Sequence, residues 1–292
     1  MDKPEIAIIG AGPSGISAAL QLNKFGIKPL IFDRDEFGSL LNNAYRVDNY
    51  PGFPGGISGR KLMKKFNSQF RKTGFGIVRE LVIRIIYKHK FIISTNTQIY
   101  KSDYLICASG TIPVKDETLI VPKEAANKII FDVKNLFKMK NKEFAIIGAG
   151  DAAFDYALSL ATNNYVRIFT RTNEISCNQQ LLDEVVSKGN IKIYHEFIIR
   201  NITDSKKTLD LTFDNKGQYR QFNSDYLIFA IGRKPNLEYL NIDDAGKTDL
   251  INKQKLYIIG DAANNNYRQT GICVGDGLKA AMMIYNKIRT TI

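Results

Sequence analysis

Six residues near the start of the chain, Gly10-Ala11-Gly12-Pro13-Ser14-Gly15, have the types and spacing to cradle a pyrophosphate. A second set, Gly148-Ala149-Gly150-Asp151-Ala152-Ala153, repeats the arrangement. The first glycine of each set permits a tight turn, and the second removes the Cβ that would block phosphate oxygens. The third position, Gly15 or Ala153, lets a helix pack closely on a strand. The chemistry is anion binding by backbone, because N–H groups in the first turn of a helix have no intrahelical acceptors and attract negative charge. Asp33 stands about twenty residues past the first turn, where a carboxylate accepts hydrogen bonds from both ribose hydroxyls of an adenosine and repels a 2'-phosphate. The first site therefore suits FAD or NAD.

Other reactive side chains are sparse. Cys107, Cys177 and Cys273 are far apart and none belongs to a Cys-x-x-Cys pair, so neither a disulfide framework nor a thiolate zinc site is suggested, and no metal is expected. His89 and His195 lie in strand-like, charge-flanked segments and read as surface or structural residues. No general acid or base stands out, and hydride transfer between dinucleotides demands none.

These turns need strands before them and helices after them. Ile6-Ala7-Ile8-Ile9 and Phe144-Ala145-Ile146-Ile147 supply the strands, and the segments from Ser14 to Phe25 and on to Ala161 read as the helices. The second half repeats the plan of the first: Tyr104 to Gly110 and Tyr226 to Gly232 each end a unit as a buried strand, and each unit carries an antiparallel insertion. After the second unit come one strand, Leu256 to Ile259, and a helix from about Thr270. A lone strand and helix cannot form a domain, so they must return to complete the first one. The expected fold is α/β, with two Rossmann-like, three-layer ββα dinucleotide-binding domains, the second inserted into the first. Residues 1–112 and 243–292 would form an FAD domain, and residues 113–242 an NAD(P)H domain.

Composition bounds the setting. Of the 292 residues, 44% are hydrophobic and 24% charged, which suits a globular chain with two cores. The start of the chain enters a strand at once with no signal-like apolar segment, and the longest apolar stretch, Phe144 to Ala161, carries Asp151 and Asp155. A cytoplasmic protein is expected, with no membrane partner. The net charge of +12 attracts acidic macromolecules or reflects a Lys-, Ile- and Asn-rich genome; no nucleic-acid motif accompanies it, and no nucleic-acid partner is expected.

Several segments together carry a resemblance. Besides the first turn and Asp33, they are Gly38-Ser39-Leu40-Leu41, Asn49-Tyr50-Pro51-Gly52-Phe53, Ala108-Ser109-Gly110, Ala230-Ile231-Gly232-Arg233-Lys234-Pro235, Gly260-Asp261-Ala262, Arg268-Gln269 and Gly275-Asp276-Gly277. With them the chain resembles, nearly end to end, the low-molecular-weight thioredoxin reductase branch of the pyridine nucleotide-disulfide oxidoreductases. The resemblance implies that FAD is held through the first turn (Gly10, Gly12, Pro13, Ser14, Gly15), by Asp33, Arg34 and Val82, and by Gly38, Leu41 and Asn49. Ser109, Gly110, Gly260 and Asp261 would approach the ribityl and pyrophosphate, with Arg268, Gln269 and Thr270 beside the isoalloxazine. It implies that the nicotinamide dinucleotide meets Gly148, Gly150, Asp151, Ala152, Ala153, Thr170, Arg171, Ile231 and Gly232.

The chain departs from that branch in its thiols. Thioredoxin reductases carry Cys-x-x-Cys shortly before the second glycine turn, where this chain reads Phe131-Asp132-Val133-Lys134-Asn135-Leu136. In that stretch it looks more like the thioredoxin-reductase-type ferredoxin-NADP reductases. The expected activity is passage of electrons from NADPH through FAD to a small acidic carrier, ferredoxin or flavodoxin, in a homodimer. One alternative is disulfide reduction of a thioredoxin-like protein through a non-standard thiol, for which Cys273 near a helix N-terminus is the candidate; the other is a flavin-binding redox sensor without turnover. Arg171, with no carboxylate at Thr170, favours NADPH over NADH. Against it stands the reading of an exposed arginine at a site without cofactor selectivity. Tyr45, Tyr50, Phe53 and Tyr267 could cover a flavin or simply pack.

Overall fold

The structure, a computed structural model, describes residues 5–34 and 40–291. Its chain divides into two units, one of residues 1–42, 47–112 and 234–292, the other of residues 43–46 and 113–233.

The first unit is built on a four-stranded parallel sheet in the order Leu256–Ile258, Tyr104–Cys107, Ile6–Ile9, Leu30–Phe32. The two central strands are buried along their whole length, as parallel strands covered on both faces must be. One face carries the helices Pro13–Lys24 and Thr270–Thr291, whose Leu22, Ala281 and Ile284 pack with Ile8 and Ile106. The other face packs on an antiparallel sheet of Val82–Lys88, Lys90–Thr95 and Ile99–Ser102 through Phe32, Ile85, Phe91 and Leu105. The strand Leu256–Ile258 sits at the edge of this sheet, parallel to Tyr104–Cys107.

The second unit repeats the design. Its parallel sheet runs Ile191–Tyr194, Tyr165–Phe169, Glu143–Ile147, Tyr226–Phe229, Ile129–Ile130. Helix Asp151–Leu160 lies on one face, and the antiparallel strands Ile198–Asp204, Leu209–Asn215 and Gln218–Ser224 lie on the other around Phe169, Phe213 and Phe229.

Two boundaries differ from the sequence reading. The return to the first unit falls at Lys234, ahead of residue 243, because this stretch hydrogen-bonds to the first unit's own backbone. Asn236 N–H donates to Gly110 O at 2.9 Å, and Ile85 N–H donates to Tyr239 O at 2.7 Å. Residues 43–46 belong with the second unit, since buried Asn43 accepts from Lys134 N–H (2.8 Å) and donates to Asp132 (3.1 Å), while Tyr45 N–H donates to the Asp155 carboxylate (2.9 Å). The sequence reading also passed over helix Asp244–Asn252, which is short, interrupted by Gly246 and weakly patterned, though Asp243 caps it by accepting from Gly246 N–H at 2.7 Å. Among the described residues no helix is long and apolar enough to cross a membrane.

Candidate functional site

The first glycine turn joins strand Ile6–Ile9 to helix Pro13–Lys24, and sterics fix each of its glycines differently. Gly10 has φ +104°, and a Cβ there would lie 2.4 Å from Ala108 O. A Cβ on Gly15 would lie 1.9 Å from Gly10 O, so helix and turn touch through backbone alone. Gly12 is the opposite case: a Cβ there meets no protein atom within 4 Å. What a side chain at residue 12 would occupy is the cleft itself. The helix starts with Pro13 at its first position and has no side-chain cap, which leaves its N–H groups to whatever the cleft holds.

The cleft encloses about 890 Å³, including space open to solvent, and belongs wholly to the first unit. It is lined by Gly10, Gly12, Pro13 and Ser14 of the turn, by Asp33, Leu40, Leu41, Ser109 and Gly110, and by Asp261, Arg268, Gln269, Thr270 and Cys273. Asp33 is held in place by the turn, its Oδ2 accepting from Ala11 N–H at 2.6 Å. Ser109 Oγ donates to Asn236 O at 2.6 Å and lies 2.9 Å from the buried Tyr239 hydroxyl. Asn49 Nδ2 donates to Gln269 Oε1 at 2.9 Å, tying an expected ribityl contact to an expected ring contact.

Of the residues expected at FAD, the structure thus gathers Gly10, Gly12, Pro13, Ser14, Asp33, Leu41, Ser109, Gly110, Asp261, Arg268, Gln269 and Thr270 around one cleft, with Gly15, Asn49 and Gly260 packed against or bonded to them. Gly38 lies outside the described residues. Val82 does not line the cleft: it is 8% exposed and packs in the hairpin core with Phe32 and Ile85. Arg34 is exposed and likewise not among the lining residues.

The aromatic residues weighed as flavin covers are not among the residues lining this cleft. Tyr45 belongs to the second unit, Tyr50 stacks on Phe53 and meets Phe66 edge-on, and Tyr267 is 76% exposed.

Sequence reasoning missed Asp276. Its Oδ2 accepts from Gly260 N–H at 3.0 Å and from Asn264 Nδ2 at 2.6 Å, fixing the turn that carries Asp261. The motif Gly275-Asp276-Gly277 was the available signal, and its meaning depended on a fold-back of the last helix onto the preceding turn.

Cys273, the thiol weighed as a redox partner, faces a carboxylate. Its Sγ donates to Asp261 Oδ1 at 3.2 Å, and burial together with that carboxylate pushes its pKa up. A helix N-terminus alone would lower it, but desolvation and a facing anion act the other way and dominate. Burial pushes the Cys107 thiol up to about 12, and Cys177 is raised as well; all three cysteines are free.

The second turn reproduces the first. A Cβ on Gly148 would lie 2.5 Å from Ala230 O, as one on Gly10 would from Ala108 O, and Ala153 is fully buried where Gly15 stands in the first copy. Helix Asp151–Leu160 again has no side-chain cap on its N-cap residue, Gly150. Asp151 and Ala152 are exposed, and a loop reaches this turn: Ser176 N–H donates to Ala149 O (2.9 Å) and Asn178 N–H to Asp151 Oδ1 (2.8 Å). Ile231 is 36% exposed, and Gly232 O accepts from Val114 N–H at 3.0 Å.

Thr170 is not presented to a ligand, contrary to expectation. It is 1% exposed, its hydroxyl donates to Thr172 O at 2.7 Å, and its backbone bonds Tyr194 O and Phe197 N–H. Arg171 beside it is exposed.

The model of the family described as pyridine nucleotide-disulphide oxidoreductase matches residues 4–277. The chain is 28% identical to a thioredoxin reductase of Rickettsia prowazekii over 96% of each chain. It is also 28% identical to a ferredoxin–NADP reductase of Lactobacillus gasseri, over 95% of this chain and 92% of that one. Against NADPH-dependent thioredoxin reductase 3 of Arabidopsis thaliana the identity is 25%, and the chain spans 57% of that protein's length. The crystal structure of Lactococcus lactis thioredoxin reductase (FR conformation) superposes with a TM-score of 0.87 at 23% identity, covering 99% of this chain and 100% of that one.

Proposed function

Since the chain belongs to the pyridine nucleotide-disulphide oxidoreductase family, whose cofactors are FAD and NADPH, we propose that it is an NADPH-dependent flavin reductase whose acceptor is a small acidic electron carrier of the ferredoxin or flavodoxin class. The observation that carries this reading is the state of the cysteines. None is paired with another, and Cys273, the one thiol at the cleft, is held protonated against Asp261.

FAD, when bound, takes two electrons as hydride from a reduced nicotinamide and passes them on. The first unit's cleft fits it, because the open space at Gly12 and the uncapped helix behind it suit a pyrophosphate, and Asp33, held by Ala11 N–H, would meet a ribose. Asp261 would hold the ribityl side, braced by Asp276 through the Gly260 turn. The helix Thr270–Thr291 starts at the cleft, where its first N–H groups would favour negative charge on a bound, reduced ring. Residues 113–233 would hold NADPH by the repeated turn at Gly148 and Gly150. No residue of the chain has to move a proton at the transfer step.

The net charge of +12 supports an acidic partner, since long-range attraction speeds encounter with an oppositely charged protein. Steady-state NADPH oxidation should run faster with an acidic ferredoxin than with thioredoxin, and should fall as salt rises. Turnover with thioredoxin that equals or exceeds it would transfer the function to disulfide reduction. A flavin that stays oxidised for minutes in anaerobic NADPH would instead favour a sensor without turnover.

A further inference from the structure

Residues 49–79 contain seven Lys and Arg and no Asp or Glu, so about one tenth of the chain holds more than half of its net charge of +12. Six of the seven lie on helix Gly59–Arg71 and its C-cap residue: Arg60, Lys61, Lys64, Lys65, Arg71 and Lys72, all exposed. At about 100° per residue they share an arc of roughly 140°. Met63, Phe66 and Phe70 fall on the opposite side and pack into the first unit's core.

Helix physics opposes this arrangement. Arg60 and Lys61 stand in the first turn, where the dipole favours acids, and no acid is there. Arg60 with Lys64, and Lys61 with Lys65, are like-charge pairs one turn apart. Among the described residues no carboxylate pairs with Lys61, Lys64, Lys65, Arg71 or Lys72. A face that costs the helix stability and finds so little counter-charge in its own chain is fitted to an outside anion.

This face is tied to the cleft. Lys65 Nζ lies 5.8 Å from the centre of the Phe53 ring, Phe53 stacks on Tyr50, and Tyr50 meets Phe66 edge-on at 5.8 Å. The loop that carries both rings is closed at its base by Val47 and Ile57, which exchange backbone hydrogen bonds of 2.8 and 3.0 Å. Asn49, next to Tyr50, donates to Gln269 on the cleft wall at 2.9 Å. One braced loop of the first unit therefore joins the basic face to the cleft.

We propose that the exposed face of helix Gly59–Arg71, with the half-buried Phe53 at its rim, is where a small acidic electron carrier of the ferredoxin type docks. This rests on the reading that such a carrier is the acceptor and that the cleft holds FAD. Carboxylates of the carrier would meet the lysines and arginines, giving a fast and salt-sensitive encounter, and Phe53 would supply an apolar contact on the loop that reaches Gln269. The helix has spent its apolar side on the core, so it has none left to insert into a bilayer.

The test is calorimetric binding of an oxidised acidic ferredoxin to the FAD-loaded protein, with the steady-state KM for ferredoxin alongside. It compares wild type, a face variant (Lys61→Gln, Lys64→Gln, Arg71→Gln) and a control variant (Lys138→Gln, Lys188→Gln, Lys207→Gln) that removes the same charge from exposed lysines of the second unit. At low salt the face variant is expected to raise Kd and KM about tenfold and the control less than about twofold, with the gap closing near about 0.5 M salt. NADPH-dependent reduction of a neutral quinone should be unchanged in both, which also shows that both fold. Equal weakening in the two variants, or none in the face variant, overturns the proposal. So does loss of binding to phosphatidylglycerol vesicles in the face variant with ferredoxin binding intact, which would give the face to a membrane surface. A wild type that reduces the quinone but neither binds nor reduces ferredoxin removes the acceptor reading itself, and the docking face falls with it.

Discussion

Cys273 and Asp261 meet at 3.2 Å on the wall of the first unit's cleft, and the thiol is the donor. A carboxylate facing a buried thiol disfavours thiolate, the form that attacks disulfides. Cys273→Ala is therefore expected to keep NADPH oxidation within about twofold of wild type, and Cys273 to alkylate more slowly than a free thiol at pH 8. Loss of most of the activity in Cys273→Ala, with FAD still bound, would restore a thiol relay.

The glycines of the first turn should separate cofactor loss from unfolding. Gly12→Val puts its side chain into open cleft, so the protein should fold and purify without FAD. Gly15→Ala drives a methyl into Gly10 O and should cost about 2–3 kcal/mol of stability, read by denaturant unfolding. Gly150→Val, whose Cβ meets only Ser176 Oγ at 3.5 Å, should retain FAD and lose reduction by NADPH. FAD lost equally from the Gly12 and Gly150 variants would mean that the two units have been given the wrong nucleotides.

Asp33 and Asp276 should differ in what they cost. Asp33→Ala removes a charged acceptor from Ala11 N–H and, on the proposed reading, a ribose partner, and should weaken FAD about 10- to 100-fold at modest loss of stability. Asp276→Ala leaves Gly260 N–H without its acceptor and Asn264 Nδ2 with Gly260 O alone, and should lower stability by about 1–3 kcal/mol as well as FAD retention. Thermal melts of apo and FAD-loaded protein distinguish the two, since only the Asp276 change should lower the apo melting temperature appreciably.

Much of this arrangement was legible in the chain because it is local. A β-branched run, a glycine turn and a helix are adjacent in sequence, and both copies fold as their spacing implies, down to the matching clashes that a Cβ on Gly10 or Gly148 would make. What was not legible depends on distant partners. Thr170 looked available beside Arg171, but strand pairing with Ile191–Tyr194 buries it and turns His195 toward it. Val82 went to a core because its hairpin packs on Phe32, and Cys273 met a carboxylate twelve residues earlier only because the last helix folds back on the Gly260 turn. Residues 43–46 left the first unit through side-chain bonds to Asp132 and Asp155 that no local pattern announces.

Whether the protein is a flavin reductase without a dithiol is read from an anaerobic titration of the FAD-loaded protein with NADPH followed at 450 nm. A protein with FAD as its sole redox centre takes up two electrons, so bleaching should be complete at one equivalent of NADPH per bound FAD. Uptake of two equivalents per FAD would reveal a second two-electron centre and contradict the assignment of the three cysteines as redox-inert.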